Sequence, residues 1–338
     1  MVLLLGASGL LGHNVLRLLL ERGERVRVLL RPGSSLCHFE PACHFEPACH
    51  FERSREIPSP EILRGSLLDY ATLLRAAEGC EAIINCAGTT NMALKRLDDF
   101  FPVNRDLPLS LTRVLDATGI RTLVHTSTAN TIAPGPREHP TDESAPFDAP
   151  FDRSLYAISK KGGEQVLLDY AAEHPDRRIV VVNPGFMVGA FDAKPSSGTL
   201  LLAAYRRRLM AAPCGGKSFL HVRDAATAIC NALTHGGSGR YLLTGESLTL
   251  KEFYALQARV CGYRQRFFTL PSPLVRFAGR LGDLARALGA RTMLCTHNVR
   301  QLLIEEWYDN GKATRELGLP HTPAEVAIRD FFAWHSSK

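Results

Sequence analysis

Met1-Val2-Leu3-Leu4-Leu5-Gly6-Ala7-Ser8-Gly9-Leu10-Leu11-Gly12 decides the reading of this chain. Val2 to Leu5 is a short apolar run of strand character. Val15, Leu16, Leu19 and Leu20 recur at helical spacing and mark a helix over 13–22 that stops at Gly23. A strand, a glycine-rich turn and a helix in that order form the setting of a dinucleotide phosphate cradle. Gly6 permits the tight turn, Gly9 lets the backbone approach a pyrophosphate, and Gly12 lets helix and strand pack closely. The helix N-terminus beyond them offers unpaired N–H groups and the positive end of its dipole to an anion.

The same alternation continues outward. Strands are expected over 25–30, 62–63, 82–85, 122–125 and 179–182, with helices over 70–77, 107–118 and 155–172. Repeated strand–helix units of this length predict an α/β fold, a Rossmann-type doubly wound parallel sheet. The dinucleotide-binding domain is expected over 1–182. A smaller, mostly helical substrate-binding region follows over 183–338, interleaved with late Rossmann elements at about 219–247.

The second strand ends Val28-Leu29-Leu30-Arg31-Pro32-Gly33. A site selective for NAD carries an acidic residue there to hold the ribose 2′-hydroxyl. Arg31 instead suits a 2′-phosphate, which favours NADP with NAD as the alternative. Asn85-Cys86-Ala87-Gly88 ends a later strand in small residues that let backbone approach the cofactor. Thr126-Ser127-Thr128 ends the next; alternation sends Thr126 and Thr128 to one face and Ser127 to the other, and either hydroxyl could face a carbonyl.

Tyr156 and Lys160 stand four apart in the longest helix, so a phenol and an ammonium share one face. A free tyrosine titrates near pH ~10, and acid–base work near neutrality needs a shift of about 3 units, or about 4 kcal/mol. One charge about 4 Å away at an effective dielectric of about 20 supplies roughly that much, so Lys160 is expected to lower the phenol's proton affinity.

Composition narrows the class. Hydrophobic residues are 45% and charged residues 22% of 338, ordinary for a soluble globular protein, and the net charge of +6 gives no nucleic-acid signature. Arg206-Arg207-Arg208 is the one dense basic run, expected on a solvated helix face. Nine cysteines, an odd count with no Cys-x-x-Cys, predict reduced thiols and a cytoplasmic protein. The apolar N-terminus lacks a basic leader and is too short to span a bilayer. Residues 37–52 repeat Cys-His-Phe-Glu-Pro-Ala without error. A tandem duplication in a surface loop is expected there rather than a metal tract. Leu274, Phe277, Leu281, Leu284 and Leu288 recur at spacings of three and four; core packing or subunit contact is expected of them rather than a membrane surface.

Taken together, these residues resemble the extended short-chain dehydrogenases/reductases, the NAD-dependent epimerase/dehydratase family. The resemblance runs from residue 1 to about 320. It rests on Gly6/Gly9/Gly12, Asn85 to Gly88, Thr126 to Thr128, Tyr156 with Lys160, the run Asn183-Pro184-Gly185-Phe186-Met187-Val188-Gly189, and His221-Val222-Arg223-Asp224. Arg31, the 183–189 run and Lys194 to Gly198 bring it closest to dihydroflavonol-4-reductase-like proteins. The resemblance implies Tyr156 as general acid/base and Lys160 as the group that holds the nicotinamide ribose and tunes the phenol. Thr128 would bind the carbonyl, with Ser127 second. Gly6, Ser8, Gly9, Leu10, Leu11, Gly12, Leu67, Cys86, Ala87, Gly88 and Pro184 would surround the cofactor. Ser66 stands where the family often has an aspartate that holds adenine. Ala129 and Asn130 replace the acidic pair of dehydratases, and the sugar-nucleotide signature is missing from 183–189. The expected activity is reduction of a ketone or aldehyde with NADPH. The alternatives are a nucleotide-sugar epimerase with tightly held NAD and a non-catalytic dinucleotide sensor. A small-molecule carbonyl or sugar is the expected partner, no metal is expected, and a homodimer is the expected assembly by family resemblance.

Overall fold

The computed structural model describes residues 1–34, 36, 59–91, 94–193, 196–290, 292 and 296–336, so the repeat at 37–52 and Lys194-Pro195 lie outside the described residues. Seven parallel strands form the central sheet: β1 (Val2–Leu5), β2 (Val26–Leu30), β3 (Glu61–Arg64), β4 (Ala82–Asn85), β5 (Thr122–Thr126), β6 (Arg178–Pro184) and β10 (Gly239–Leu243). Their order, β10-β6-β5-β4-β1-β2-β3, reverses direction between β1 and β4. The carboxyl ends of those two strands therefore flank a crevice, the place where doubly wound sheets bind ligands.

Strand alternation explains why both faces are dry. Val2, Leu4, Val28, Leu30, Ile84 and Val182 point into one core, shared with α1 (Leu10–Glu21) and α6 (Val222–Asn231). Leu3, Leu5, Leu29, Ile83, Leu123 and Val181 point into the other, shared with α2 (Tyr70–Ala77), α3 (Leu107–Thr118) and α4 (Leu155–Glu173). Continuous apolar strands are what a sheet covered on both sides requires, and each fully buried Leu or Val contributes about 1.5–3 kcal/mol.

The smaller region hangs from the carboxyl side. A three-stranded sheet joins β7 (Phe186–Val188), β9 (Gly216–His221) and β11 (Glu246–Thr249), and a two-stranded one joins β8 (Leu209–Ala212) to β12 (Arg266–Thr269). Helices α5 (Gly198–Ala204), α7 (Leu250–Val260), α8 (Ser272–Ala287), α9 (Thr296–Gln301), α10 (Gly311–Leu317) and α11 (Ala324–Ser336) complete it. Thr249 and Glu252 form a reciprocal capping box that starts α7. No helix among the described residues is long and apolar enough to cross a membrane, and no described cluster of His, Cys, Asp or Glu could hold a metal ion.

Two expectations change. Helix α5 ends at Ala204, so Arg206 to Arg208 occupy an exposed turn, with Arg206 at φ 56, rather than a helix face. The apolar stripe of α8 is not core: Leu274, Phe277, Leu281, Leu284 and Leu288 are all at least half exposed. The side facing the protein carries Val275, Gly279 and Gly282 instead.

Candidate active site

The glycine turn follows β1 directly. Gly6 sits at φ 81, and a Cβ there would lie 2.5 Å from the backbone of Cys86 and Ala87. A Cβ on Gly12 would lie 2.1 Å from the Gly6 carbonyl oxygen. A Cβ on Gly9 meets nothing nearer than 3.5 Å, so the tip stays open. Gly9 is also the N-cap of α1 and supplies no side chain to its first N–H groups, which leaves those donors to an incoming anion. Glycines fill the two positions with no room for a side chain, and the open tip with its uncapped amides fits a dinucleotide pyrophosphate.

The other positions of the cradle divide by side-chain direction. Ser8 is exposed beside Gly9, and Leu10 is half-buried. Leu11 points into the core beneath the turn, so only its backbone is placed to face a ligand. Arg31 is exposed at the end of β2, and Leu67 packs half-buried against the second core. Ser66 accepts from the Leu68 N–H at 3.1 Å, a local turn contact. Cys86, Ala87 and Gly88 follow β4. Burial pushes the Cys86 thiol up to about 11, so it stays protonated at neutral pH. Pro184 is buried at the end of β6.

Helix α4 carries Tyr156 and Lys160. Ser154 caps it by accepting from the Ala157 N–H at 3.4 Å. Tyr156 and Lys160 then lie one turn apart with Glu164 one turn further, all on one face. Lys160 donates from Nζ to the Thr126 carbonyl oxygen at 2.9 Å. A Cβ on Gly88 would lie 2.9 Å from Nζ, so the ammonium reaches the loop after β4. Burial lowers the Lys160 pKa to about 8, against the opposing pull of Cys86 and Glu164.

Tyr156 departs from the electrostatic expectation. Burial raises its pKa, and the relief comes from a hydrogen bond with the Thr128 side chain rather than from Lys160. Enclosure outweighs the cation because the ammonium is directed at a backbone carbonyl. A phenol held in its protonated form is equipped to give a proton.

The three strand-end hydroxyls part ways. Thr128 faces Tyr156, and its Oγ1 also accepts from the Asn130 N–H at 3.3 Å. Ser127, the second choice for carbonyl binding, donates to Glu164 Oε2 at 2.8 Å and is 3% exposed. That hydroxyl is committed to the interior because β5 alternation turns it away from Tyr156. Thr126 turns toward Cys86, 3.6 Å from its Sγ.

Two residues that the sequence did not single out organise this site. Glu164 is fully buried, and its Oε2 accepts from Ser127 at 2.8 Å, Thr131 at 2.8 Å and Asn183 Nδ2 at 2.7 Å. Lys161 Nζ lies 3.2 Å and Arg240 3.8 Å from its other oxygen. Asn183 also donates to the Thr128 carbonyl oxygen at 3.2 Å, which ties Thr128 to β6. Asn104, the other, is fully buried in a π-helical turn, Pro102–Asp106, before α3. It bonds the backbone of Thr89 on both sides and donates to Ser159 Oγ at 2.9 Å. Pro108 has no N–H to return to the Asn104 carbonyl, which is why the helix widens there. The signals were a glutamate eight residues after Tyr156 and two prolines flanking an asparagine; both need tertiary partners to acquire meaning.

Two polar residues of the C-terminal half are engaged within the protein. Arg223 pairs with Glu21 at 2.9 Å, and Tyr205 stacks on Phe332 with ring centroids 4.6 Å apart.

A sequence profile described as the NAD dependent epimerase/dehydratase family matches residues 2–244. The chain belongs to that family. Sterol demethylase protein B of Methylococcus capsulatus is a family relative, 28% identical over 98% of this chain and 97% of its own. A putative dihydroflavonol 4-reductase of Synechocystis is also 28% identical, over 97% and 92% of the two chains. A 4-hydroxy-2-methyl-3-oxo-4-farnesyl-3,4-dihydroquinoline-1-oxide ketoreductase of Stigmatella aurantiaca is 30% identical, over 93% and 90%. Among solved structures, gox2253 superposes over 100% of this chain and 98% of its own, with a TM-score of 0.81 and 24% identity. The UDP-glucose 4-epimerase of Thermotoga maritima gives a TM-score of 0.74 at 17% identity, over 99% and 98%. These two establish the shared fold. Family membership makes this chain an enzyme of the NAD(P)-dependent, extended short-chain dehydrogenase/reductase class of oxidoreductases.

Proposed function

We propose that this family member is an NADPH-dependent carbonyl reductase acting on a large, mostly apolar ketone or aldehyde. The observation that carries this reading is a half-buried Tyr156 whose phenol stays protonated beside the Thr128 hydroxyl, one helical turn from a buried Lys160. The reduced nicotinamide supplies hydride when bound. Tyr156 gives its proton to the carbonyl oxygen as negative charge builds there, and the Thr128 hydroxyl hydrogen-bonds the same oxygen. Lys160, one helical turn from Tyr156 with its ammonium on the Thr126 carbonyl, would hold the nicotinamide ribose. Arg31, exposed at the end of β2 where an NAD site carries an acid, supports NADPH over NADH. The apolar substrate class follows the relatives named for dihydroflavonol and for a farnesyl-bearing quinoline oxide. We place the enzyme in the cytoplasm, where its cysteines remain thiols.

Oxidation of each reduced cofactor is to be followed with a panel of aromatic, sterol-like and long-chain carbonyl compounds. NADPH consumption with at least one of them is expected, and Tyr156→Phe is expected to cut kcat by about 10²–10⁴ with NADPH affinity unchanged. Full activity in Tyr156→Phe overturns the assignment. NAD that copurifies with the protein, together with interconversion of nucleotide sugars and no net reduction, replaces it with epimerisation.

A further inference from the structure

Helix α8 is built inside out for a soluble surface. At 100° per residue its large apolar side chains, Leu274, Phe277, Leu281 and Leu284, fall with that of its C-cap Leu288 within an arc of roughly 80°. All five are exposed, Leu288 to 81%. The orientation is fixed from below: a Cβ on Gly279 would lie 3.0 Å from Thr296 Cα and 3.3 Å from Val299 Cβ, so α8 and α9 meet through small residues. Rolling the leucines inward would require room that this contact does not have.

The neighbouring strands repeat the pattern. In the β8–β12 pair, Met210 and Phe267 pack inward, while Leu209 is 61% and Phe268 43% exposed. Strand β12 runs into α8 within three residues, and the Cys214 thiol, just after β8, lies 3.4 Å from Ser272 Oγ at the start of α8. One apolar ridge therefore continues from helix to sheet.

Charge identifies what covers it. Residues 206–212 and 266–288 contain seven arginines and one acid, Asp283, whereas the whole chain balances 40 basic against 34 acidic residues. Arg276 and Arg280 are exposed and border the stripe on the helix, and Arg206, Arg207 and Arg208 are exposed at the start of β8. Asp283 already accepts from the Thr296 N–H at 3.2 Å. Two copies of α8 laid together would bring arginine against arginine with no free acid to answer them. A bilayer with anionic headgroups answers both features, since leucine and phenylalanine enter the acyl boundary while arginines reach back to phosphate.

We propose that α8 and the outer face of the β8–β12 pair dock the enzyme on an anionic membrane surface, lying in the interface without spanning it. The proposal is independent of the catalytic reading, because its test measures no turnover. The full chain is mixed with phosphatidylcholine vesicles containing about one third phosphatidylglycerol and sedimented. Wild type is expected to co-sediment, weakly with pure phosphatidylcholine and less as salt rises. Arg276→Glu with Arg280→Glu is expected to lower binding about tenfold or more, and Leu281→Glu with Leu284→Glu to abolish it. Phe277→Trp, a conservative probe that keeps the face intact, is expected to shift its emission to the blue on the anionic vesicles only. Wild type remaining in the supernatant at low salt, or both double variants binding as wild type does, overturns the proposal. So does a wild-type dimer that fails to bind vesicles and becomes monomeric in Leu281→Glu/Leu284→Glu.

Discussion

Lys160 shows how much a single residue's surroundings set its chemistry. Its ammonium is 3% exposed and bonded to the Thr126 carbonyl, and burial lowers its pKa from 10.5 to about 8. Below about pH 8 the native state carries the full cost of an enclosed cation. Between about 8 and 10.5 the native state has shed a proton that the unfolded chain still binds, so stability rises with pH in that window. From pH about 7.5 to about 9.5, wild type is expected to gain about 2 kcal/mol over Lys160→Met, read from paired urea unfolding curves. A pH-independent difference between the two would place the charge outside the protein interior. Glu164 is the neighbouring hub: three hydroxyl and amide donors converge on one of its oxygens, so its side chain is fixed without exposure.

Among the elements, the turn from β1 to α1 has the least tolerance. Gly12→Ala would place a methyl 2.1 Å from the Gly6 carbonyl oxygen and force the turn open. A stability loss of about 1–3 kcal/mol is expected from such overpacking. NAD(P)H affinity, followed by cofactor fluorescence, should fall at least tenfold in the folded variant because the amides no longer converge. Helices with clean periodicity were legible in the sequence: 70–77 and 107–118 are expected and observed with the same limits, and α4 differs by one residue. Helix α1 begins three residues earlier than its apolar periodicity, because Gly12 belongs to the helix while serving the turn. The π-helical turn at Asn104, the hub at Glu164 and the small sheets were not legible. Each depends on partners tens of residues away, and local spacing carries no record of them. The α8 stripe was legible as a pattern but not as to its direction, since a helical repeat specifies which residues share a face and not what that face meets.

Across the whole molecule, one segment beyond the family match, α10 with Leu319 after it, packs into the core of the main sheet. Ala313, Leu317 and Leu319 are buried against α6 and β10, and Lys312 donates to the Arg240 carbonyl oxygen at 2.8 Å. Tyr241 of β10 donates to Glu316 at 2.6 Å. Leu317→Ala is therefore expected to destabilise the protein by about 2–5 kcal/mol in a single cooperative transition, although the residue lies more than seventy positions past the matched segment. Two separate unfolding transitions by calorimetry would show instead that the C-terminal helices stand apart from the sheet.

The strand order also fixes a timetable. Strand β6 ends at Pro184, but its outer neighbour β10 is complete only at Leu243. A ribosome adding about 5–20 residues per second leaves that edge of the nascent sheet without a mate for roughly 3–12 s. Throughout that interval Ile179 to Val182 offer a row of unclaimed backbone donors and acceptors to any other growing chain. Slow translation through residues 185–243 should therefore lower the soluble yield of this enzyme, and a chaperone shielding that edge should restore it.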